Sequence, residues 1–221
     1  QMIHELMTVN KADVMNTPEK WPQRKNLLEV VTRSTKLTER ELIDYSLTVI
    51  TAGHDTIGFA LTAALMELSL NQDLQARLRQ EIRTHLPSPY QADSISPTDI
   101  DSLPLLNAIC SETFRYHPSV PIICRFLDSD GITIAGQRIP KGTNVLIPPA
   151  LLNRHQAYWS NSCYPANEFH PERWIKDEDN KKADTTGGAT DSCSFVSFSR
   201  GPRSCIGERL ARCEMAVILA G

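Results

Sequence analysis

Phe198-Ser199-Arg200-Gly201-Pro202-Arg203-Ser204-Cys205-Ile206-Gly207 runs directly into Glu208-Arg209-Leu210-Ala211-Arg212-Cys213-Glu214-Met215, a segment rich in good helix formers. One thiol, Cys205, stands between two glycines and among arginines. A cysteine just ahead of a helix faces the positive end of the aligned backbone dipoles, which favours the thiolate. Gly201 and Gly207 permit dihedrals and close approaches that a side chain would block. A thiolate held this way is a good soft ligand for iron, and cysteine is one of the few side chains by which proteins hold haem. A single cysteine before a helix is more often an inert thiol, and arginines are more often solvated surface. The rest of the chain has to decide between these readings.

Composition sets the outer bounds. The 221 residues are 41% hydrophobic and 22% charged, enough to build a core in one domain or a small pair. A net charge of -3 lacks the basic footprint of a nucleic-acid partner. Six cysteines are scattered without a C-x-x-C, which fits reduced, intracellular thiols and disfavours both a disulfide framework and a zinc module. No uninterrupted run of about 18 apolar residues reads as a membrane span, and no signal peptide opens the sequence at Gln1. The chain starts without Met and stops at Gly221 within an apolar helical run, so it reads as a fragment.

In order, Ile3, Leu6 and Met7 suggest a helix tail, followed by a polar linker with Thr17-Pro18 and Trp21-Pro22. Thr38-Glu39-Arg40-Glu41 is a capping box. It predicts a helix from Glu39 to about Leu70, which at about 1.5 Å per residue spans nearly 50 Å. Apolar residues occur nearly all round it, as in a buried helix. Its middle, Ala52-Gly53-His54-Asp55-Thr56, carries poor helix formers and a carboxylate, a local inconsistency of the kind that marks functional sites. Asn71 to His85 reads as a second helix, with Leu74, Leu78 and Ile82 on one face. Pro87-Ser88-Pro89 and Ser96-Pro97 read as loop. Ser102 then caps a third helix over 102–117, which ends before Pro118 and places Glu112 and Arg115 on one face. Residues 120–149 change to short β-prone runs with turn signals at Asp130-Gly131, Ala135-Gly136 and Lys141-Gly142. Lys176 to Ser192, charged and then rich in Gly and Thr, reads as a mobile insertion.

The ten-residue loop resembles the haem-binding loop of the cytochrome P-450 family, Phe-x-x-Gly-x-Arg-x-Cys-x-Gly. Its five fixed positions are met by Phe198, Gly201, Arg203, Cys205 and Gly207. Glu112-x-x-Arg115 and Pro171-Glu172-Arg173-Trp174 resemble the family's E-x-x-R and P-E-R-F motifs, with Trp where Phe is usual. The resemblance covers nearly the whole chain and identifies it as the C-terminal half of a eukaryotic, fungal-like member. It implies a mainly α fold with small β-sheet regions, incomplete here, with 1–221 as part of a single domain whose N-terminal half is absent. It implies Cys205 as the axial ligand of haem b (iron protoporphyrin IX), with Phe198 and Gly207 as further haem-binding positions of the loop. Arg125 and Arg203 would clamp the propionates, and Ala52 and Gly53 would leave room over the iron. Asp55 and Thr56 would be the acid–alcohol pair that handles protons and oxygen. Glu112, Arg115 and Arg173 would interlock as a structural core. Ser119 to Ile123 resembles a substrate-contact segment, and the arginines Arg200, Arg203, Arg209 and Arg212 suggest a face for an acidic electron donor.

The activity so implied is monooxygenation of a small apolar organic substrate by O2, with electrons from an NADPH-dependent reductase. The parent would be an intracellular protein at the cytosolic face of the endoplasmic reticulum, held only by an N-terminal anchor outside this sequence. Two alternatives stand beside this reading. One is a same-fold peroxide isomerase or dehydratase, disfavoured because Asp55 and Thr56 are both present. The other is a truncated, non-catalytic fragment.

Overall fold

The computed structural model describes residues 37–86, 95–176 and 184–221. The expected helix tail at Ile3 to Met7, the linker prolines and Pro87-Ser88-Pro89 lie outside these residues. The chain divides into two compact units, Gln1–Asp55 and Thr56–Gly221, with the boundary inside the first helix.

That helix, α1, runs Glu39–Leu70. Its start is held as a capping box should be: the Thr38 N–H donates to Glu41 Oε2 at 2.7 Å, and the Glu41 N–H donates to Thr38 Oγ1 at 3.3 Å. The helix is not buried all round. Leu42 and Ser46 are buried in the first unit and Ala60, Ala63, Ala64 and Leu68 in the second, while Tyr45, Ile50, Phe59 and Leu65 are each more than half exposed. Small residues carry most of the buried stripe, so the bulky apolar ones stand off the side that packs. By mean hydropathy and length α1 would also suffice to cross a membrane, the one such helix among the described residues. In the second unit Ala60, Ala64 and Leu68 of this helix are buried in the core cluster.

In the second unit α2, Gln72–His85, is capped by Asn71, whose side chain accepts from the Leu74 N–H. Ser96-Pro97 does not stay loop. It opens a short helix, α3, Pro97–Asp101, with Ser96 and Asp99 forming a reciprocal capping box. Ser102 consequently closes α3 instead of starting α4, Pro104–Tyr116. The α4 N-cap is Leu103, whose side chain has no acceptor to offer. Glu81 on α2 takes that role from a distance, its two oxygens accepting the Leu105 and Leu106 N–H groups at 2.9 Å each. A carboxylate suits this position because the first N–H groups of a helix are unpaired and carry its positive end.

Beyond α4, β1 (Ile123–Phe126) pairs antiparallel with β4 (Asn144–Ile147), from Ile123 opposite Ile147 to Phe126 opposite Asn144. Between them β2 (Thr133–Ile134) and β3 (Gln137–Arg138) form a two-residue hairpin. Its turn residues Ala135 and Gly136 both have positive φ, 49° and 78°, as a tight turn matched to strand twist requires. A short helix α5, Pro149–Leu152, and single helical turns at Gln156–Tyr158, Pro171–Trp174 and Gly201–Arg203 lead to α6, Glu208–Ala220. Leu74, Leu78, Leu106, Ile109, Phe114 and Met215 form the centre of the core of the second unit, where α2, α4 and α6 pack with Ala60, Ala64 and Leu68 of α1.

The run expected to be a mobile insertion behaves otherwise where it is described. Gly187 and Gly188 are buried, the Asp184 N–H donates to the Trp174 carbonyl at 2.6 Å, and the Thr190 N–H to the Tyr158 carbonyl at 2.9 Å. Glycine here serves close packing, not freedom.

Candidate functional site

The Cys205 loop is tied at its mouth by one backbone bond, from the Cys205 N–H to the Phe198 carbonyl at 2.8 Å. Phe198 is anchored from below by Phe114 of α4, the ring centroids 5.0 Å apart and edge to face. Gly201 turns the chain at φ 77°, and a Cβ there would meet nothing within 4 Å. Gly207 is the N-cap of α6, so the thiol stands just outside the positive end of a 13-residue helix. Cys205 is a free, exposed thiol, and Ile206 beside it is 95% exposed. Arg203 has no hydrogen-bond or ion-pair partner among the described residues.

Arg125 on β1 reaches the same loop, its Nη2 donating to Ser199 Oγ at 2.9 Å. Ser199 has φ 60°, an uncommon backbone for a side-chain-bearing residue. The segment after Pro118 touches α1, where Ser119 Oγ donates to the Thr56 carbonyl at 2.8 Å. In the first unit Ala52, Gly53 and Asp55 are exposed on α1. A Cβ on Gly53 would meet nothing within 4 Å, and Asp55 Oδ1 lies 2.9 Å from His54 Nδ1.

Below the loop sits a buried charge network. Glu112 receives Arg115 through two parallel bonds, Nε at 2.8 Å and Nη2 at 2.7 Å. Arg173 Nε adds 3.0 Å and the His170 N–H 2.7 Å. All three charged side chains are fully buried. Two guanidiniums against one carboxylate leave a net positive charge in the core, and backbone dipoles offset it. Arg115 donates to the carbonyls of Asn153, Ala166 and Glu168, and Arg173 to that of Pro165. Burial pulls the Arg173 pKa below its ordinary value, opposed by the Glu112 charge.

Trp174 is more than an aromatic exchange for Phe. Its indole Nε1–H donates to Glu112 Oε2 at 2.8 Å, a fifth donor that phenylalanine could not supply. Trp174→Phe is expected to lower stability by about 1.5–3 kcal/mol, the contribution of a hydrogen bond to a charged group. Urea unfolding checks this, and a change under about 0.5 kcal/mol would show that the indole contributes packing alone. Asn153 is a second such tie. Fully buried, it donates to the Arg115 carbonyl at 3.0 Å and Ser197 Oγ at 2.8 Å, and accepts the Val196 N–H at 3.2 Å, lacing α4 to the strand of chain entering the loop. No periodicity marks such a residue in a sequence.

The family model described as Cytochrome P450 matches residues 1–221, the whole chain. The chain belongs to the cytochrome P450 family. Among curated relatives, it is 43% identical over 198 residues to cytochrome P450 monooxygenase sphH of Aspergillus fumigatus, covering 88% of this chain and 35% of that protein. It is 36% identical to cytochrome P450 monooxygenase buaD of Petromyces alliaceus, covering 89% and 36%. It is 34% identical to cytochrome P450 monooxygenase FSL4 of Gibberella zeae, covering 98% and 37%. The matched part of the chain spans 35–37% of the length of these three relatives. Its helices with two small antiparallel sheets are the mainly α architecture of part of a P450 fold.

Proposed function

We propose that this P450 chain carries the haem-binding part of a monooxygenase, with Cys205 as the axial thiolate. The observation that supports it is an exposed thiol beside a 95% exposed isoleucine, on a glycine-turned loop ahead of a helix. A chain gains nothing by leaving a large apolar side chain in water, whereas a flat apolar group lying on Ile206 would cover it. The remaining donors suit haem b. Arg203 and Arg125 are planar cations matched to the carboxylates at the rim of such a group.

When bound, a thiolate-held haem supplies oxygen activation, the cysteinate favouring O–O cleavage. The residues of this chain do the rest. Cys205 is oriented by its N–H bond to the Phe198 carbonyl. Asp55, against His54, is the acid that takes and delivers protons, and Thr56 is the alcohol that passes them on. Ala52 and Gly53 leave α1 without bulk beside that pair. Ser119, which holds the Thr56 carbonyl, opens the segment to Ile123 that contacts a small apolar substrate. Electrons come from NADPH through a reductase partner, and the parent protein works at the cytosolic face of the endoplasmic reticulum. The presence of both Asp55 and Thr56 favours monooxygenation over peroxide isomerisation or dehydration on the same fold.

The test is the carbon monoxide difference spectrum of the reduced, haem-loaded full-length protein and of Cys205→Ser. The thiolate-type Soret band is expected in the parent and a complete loss of it in Cys205→Ser. A band that survives the substitution would overturn the assignment.

A further inference from the structure

Arg212 is joined to more of the haem loop's surroundings than a helix-surface arginine needs to be. From the second turn of α6 its guanidinium lies 5.1 Å from the ring centroid of Phe198 and 5.6 Å from those of Phe195 and Phe114. Its Nε and Nη2 pair with Glu208 Oε1 at 3.1 and 2.9 Å, and Nη1 donates to Ser111 Oγ at 3.3 Å. The side chain is about one-third exposed. A planar cation can stack on rings and hold a carboxylate at once, which an ammonium does less well. One residue thus joins α4, both phenylalanines entering the loop, and the first turn of α6.

Phe198 is the link that matters. Its ring sits against Arg212 and Phe114, and its carbonyl accepts the Cys205 N–H at 2.8 Å. Whatever fixes Phe198 fixes the backbone bond that orients the thiol-bearing residue. Partners one shell out from a metal ligand commonly tune the metal as well as orient the ligand. Glu208, the acid of the pair, is the first residue of α6, three positions from Cys205.

We propose that Arg212 is a positioning residue for the Cys205 thiolate, and that the Arg212–Glu208 pair balances the charge seen by the iron from the thiolate side. This rests on Cys205 being the haem ligand. Arg212 acts through Phe198 and through its field, and touches neither substrate nor iron.

The two members of the pair make the test one of sign. In the full-length, haem-loaded protein Arg212→Gln removes a positive charge and Glu208→Gln a negative one. Adding an electron is favoured by nearby positive charge, so Arg212→Gln is expected to lower the ferric/ferrous midpoint potential and Glu208→Gln to raise it. Each shift should alter the reduced-to-oxidised ratio about three- to tenfold, or roughly 30–60 mV at 59 mV per tenfold for one electron. Arg212→Lys keeps the charge and should hold the potential within about twofold of the parent ratio. It loses the stacking fork, however, and should still show a larger share of carbon monoxide complex without the thiolate-type band. Shifts in the same direction, or none, with the parent's thiolate band intact would overturn the proposal and leave the haem assignment standing. Absence of the thiolate band from the parent itself would overturn both.

Discussion

Glu112→Gln is expected to cost about 3–5 kcal/mol, a large share of the roughly 5–15 kcal/mol that keeps a domain folded. Five donors converge on this carboxylate: two from Arg115, and one each from Arg173, Trp174 and the His170 backbone. A carboxylate accepts all five, but an amide turns two of its own hydrogens toward them. Both guanidiniums would also lose the one negative charge they share while remaining fully buried. Removing one partner of a buried ion network exposes the whole desolvation penalty of what is left, which is why the loss exceeds the net value of the pair. A pair in water behaves differently. Arg77 and Asp73 on α2 stand 3.9 Å apart, with Asp73 83% exposed, and Asp73→Asn should change stability by less than about 0.5 kcal/mol. Urea midpoints of the two variants measured side by side decide the matter. A Glu112→Gln protein within about 1 kcal/mol of the parent would show that backbone carbonyls alone can hold both arginines.

Gly188→Ala is the second large effect expected. An added Cβ would lie 2.4 Å from the Ser162 Cβ, 2.6 Å from its backbone nitrogen and 2.7 Å from its Cα. These atoms cannot swing aside as a side-chain tip can. Gly188 also has φ 83°, outside the region that alanine adopts readily. The backbone strain contributes about 1–2 kcal/mol and the overpacking about 1–3 kcal/mol, so a loss of about 2–5 kcal/mol is expected. Gly131, at φ 86° with nothing within 4 Å of its added Cβ, separates the two contributions. Gly131→Ala should cost only the backbone share. If the two alanine variants melt together, close packing of Gly188 against Ser162 is not what holds this loop.

Much of this architecture can be read from local pattern, because some constraints are local. Thr38 and Glu41 satisfy each other three residues apart, so the start of α1 is visible in four letters. The hairpin of β2 and β3 is visible in Ala135-Gly136 for the same reason. Ser96-Pro97-Thr98-Asp99 carried an equally local capping box, which a loop reading centred on proline overlooked. What the sequence hid is what acts at long range. The Trp174 indole meets Glu112 across 62 positions, Asn153 meets Val196 across 43, and the packing of Gly188 on Ser162 depends on a fold that brings two loops together. At the candidate site, the loop motif announces Cys205, Phe198 and their glycines. Arg212 reads in the sequence as one of four arginines on a charged face, and its contact with three rings becomes visible only in the structure.

The carboxylate of Glu81 on the Leu105 and Leu106 N–H groups has a consequence for how the molecule comes together. A helix nucleates with difficulty, since its first turn fixes several residues for one bond, and the leucine cap of α4 has no side-chain acceptor for the N–H groups of that turn. Its start is completed only when α2 is already in place. The two helices are therefore expected to open together, and hydrogen exchange checks this: the amide protons of Leu105 and Leu106 should exchange at the rate of those in α2. The helix that carries Glu112 and Arg115 borrows its beginning from a neighbour.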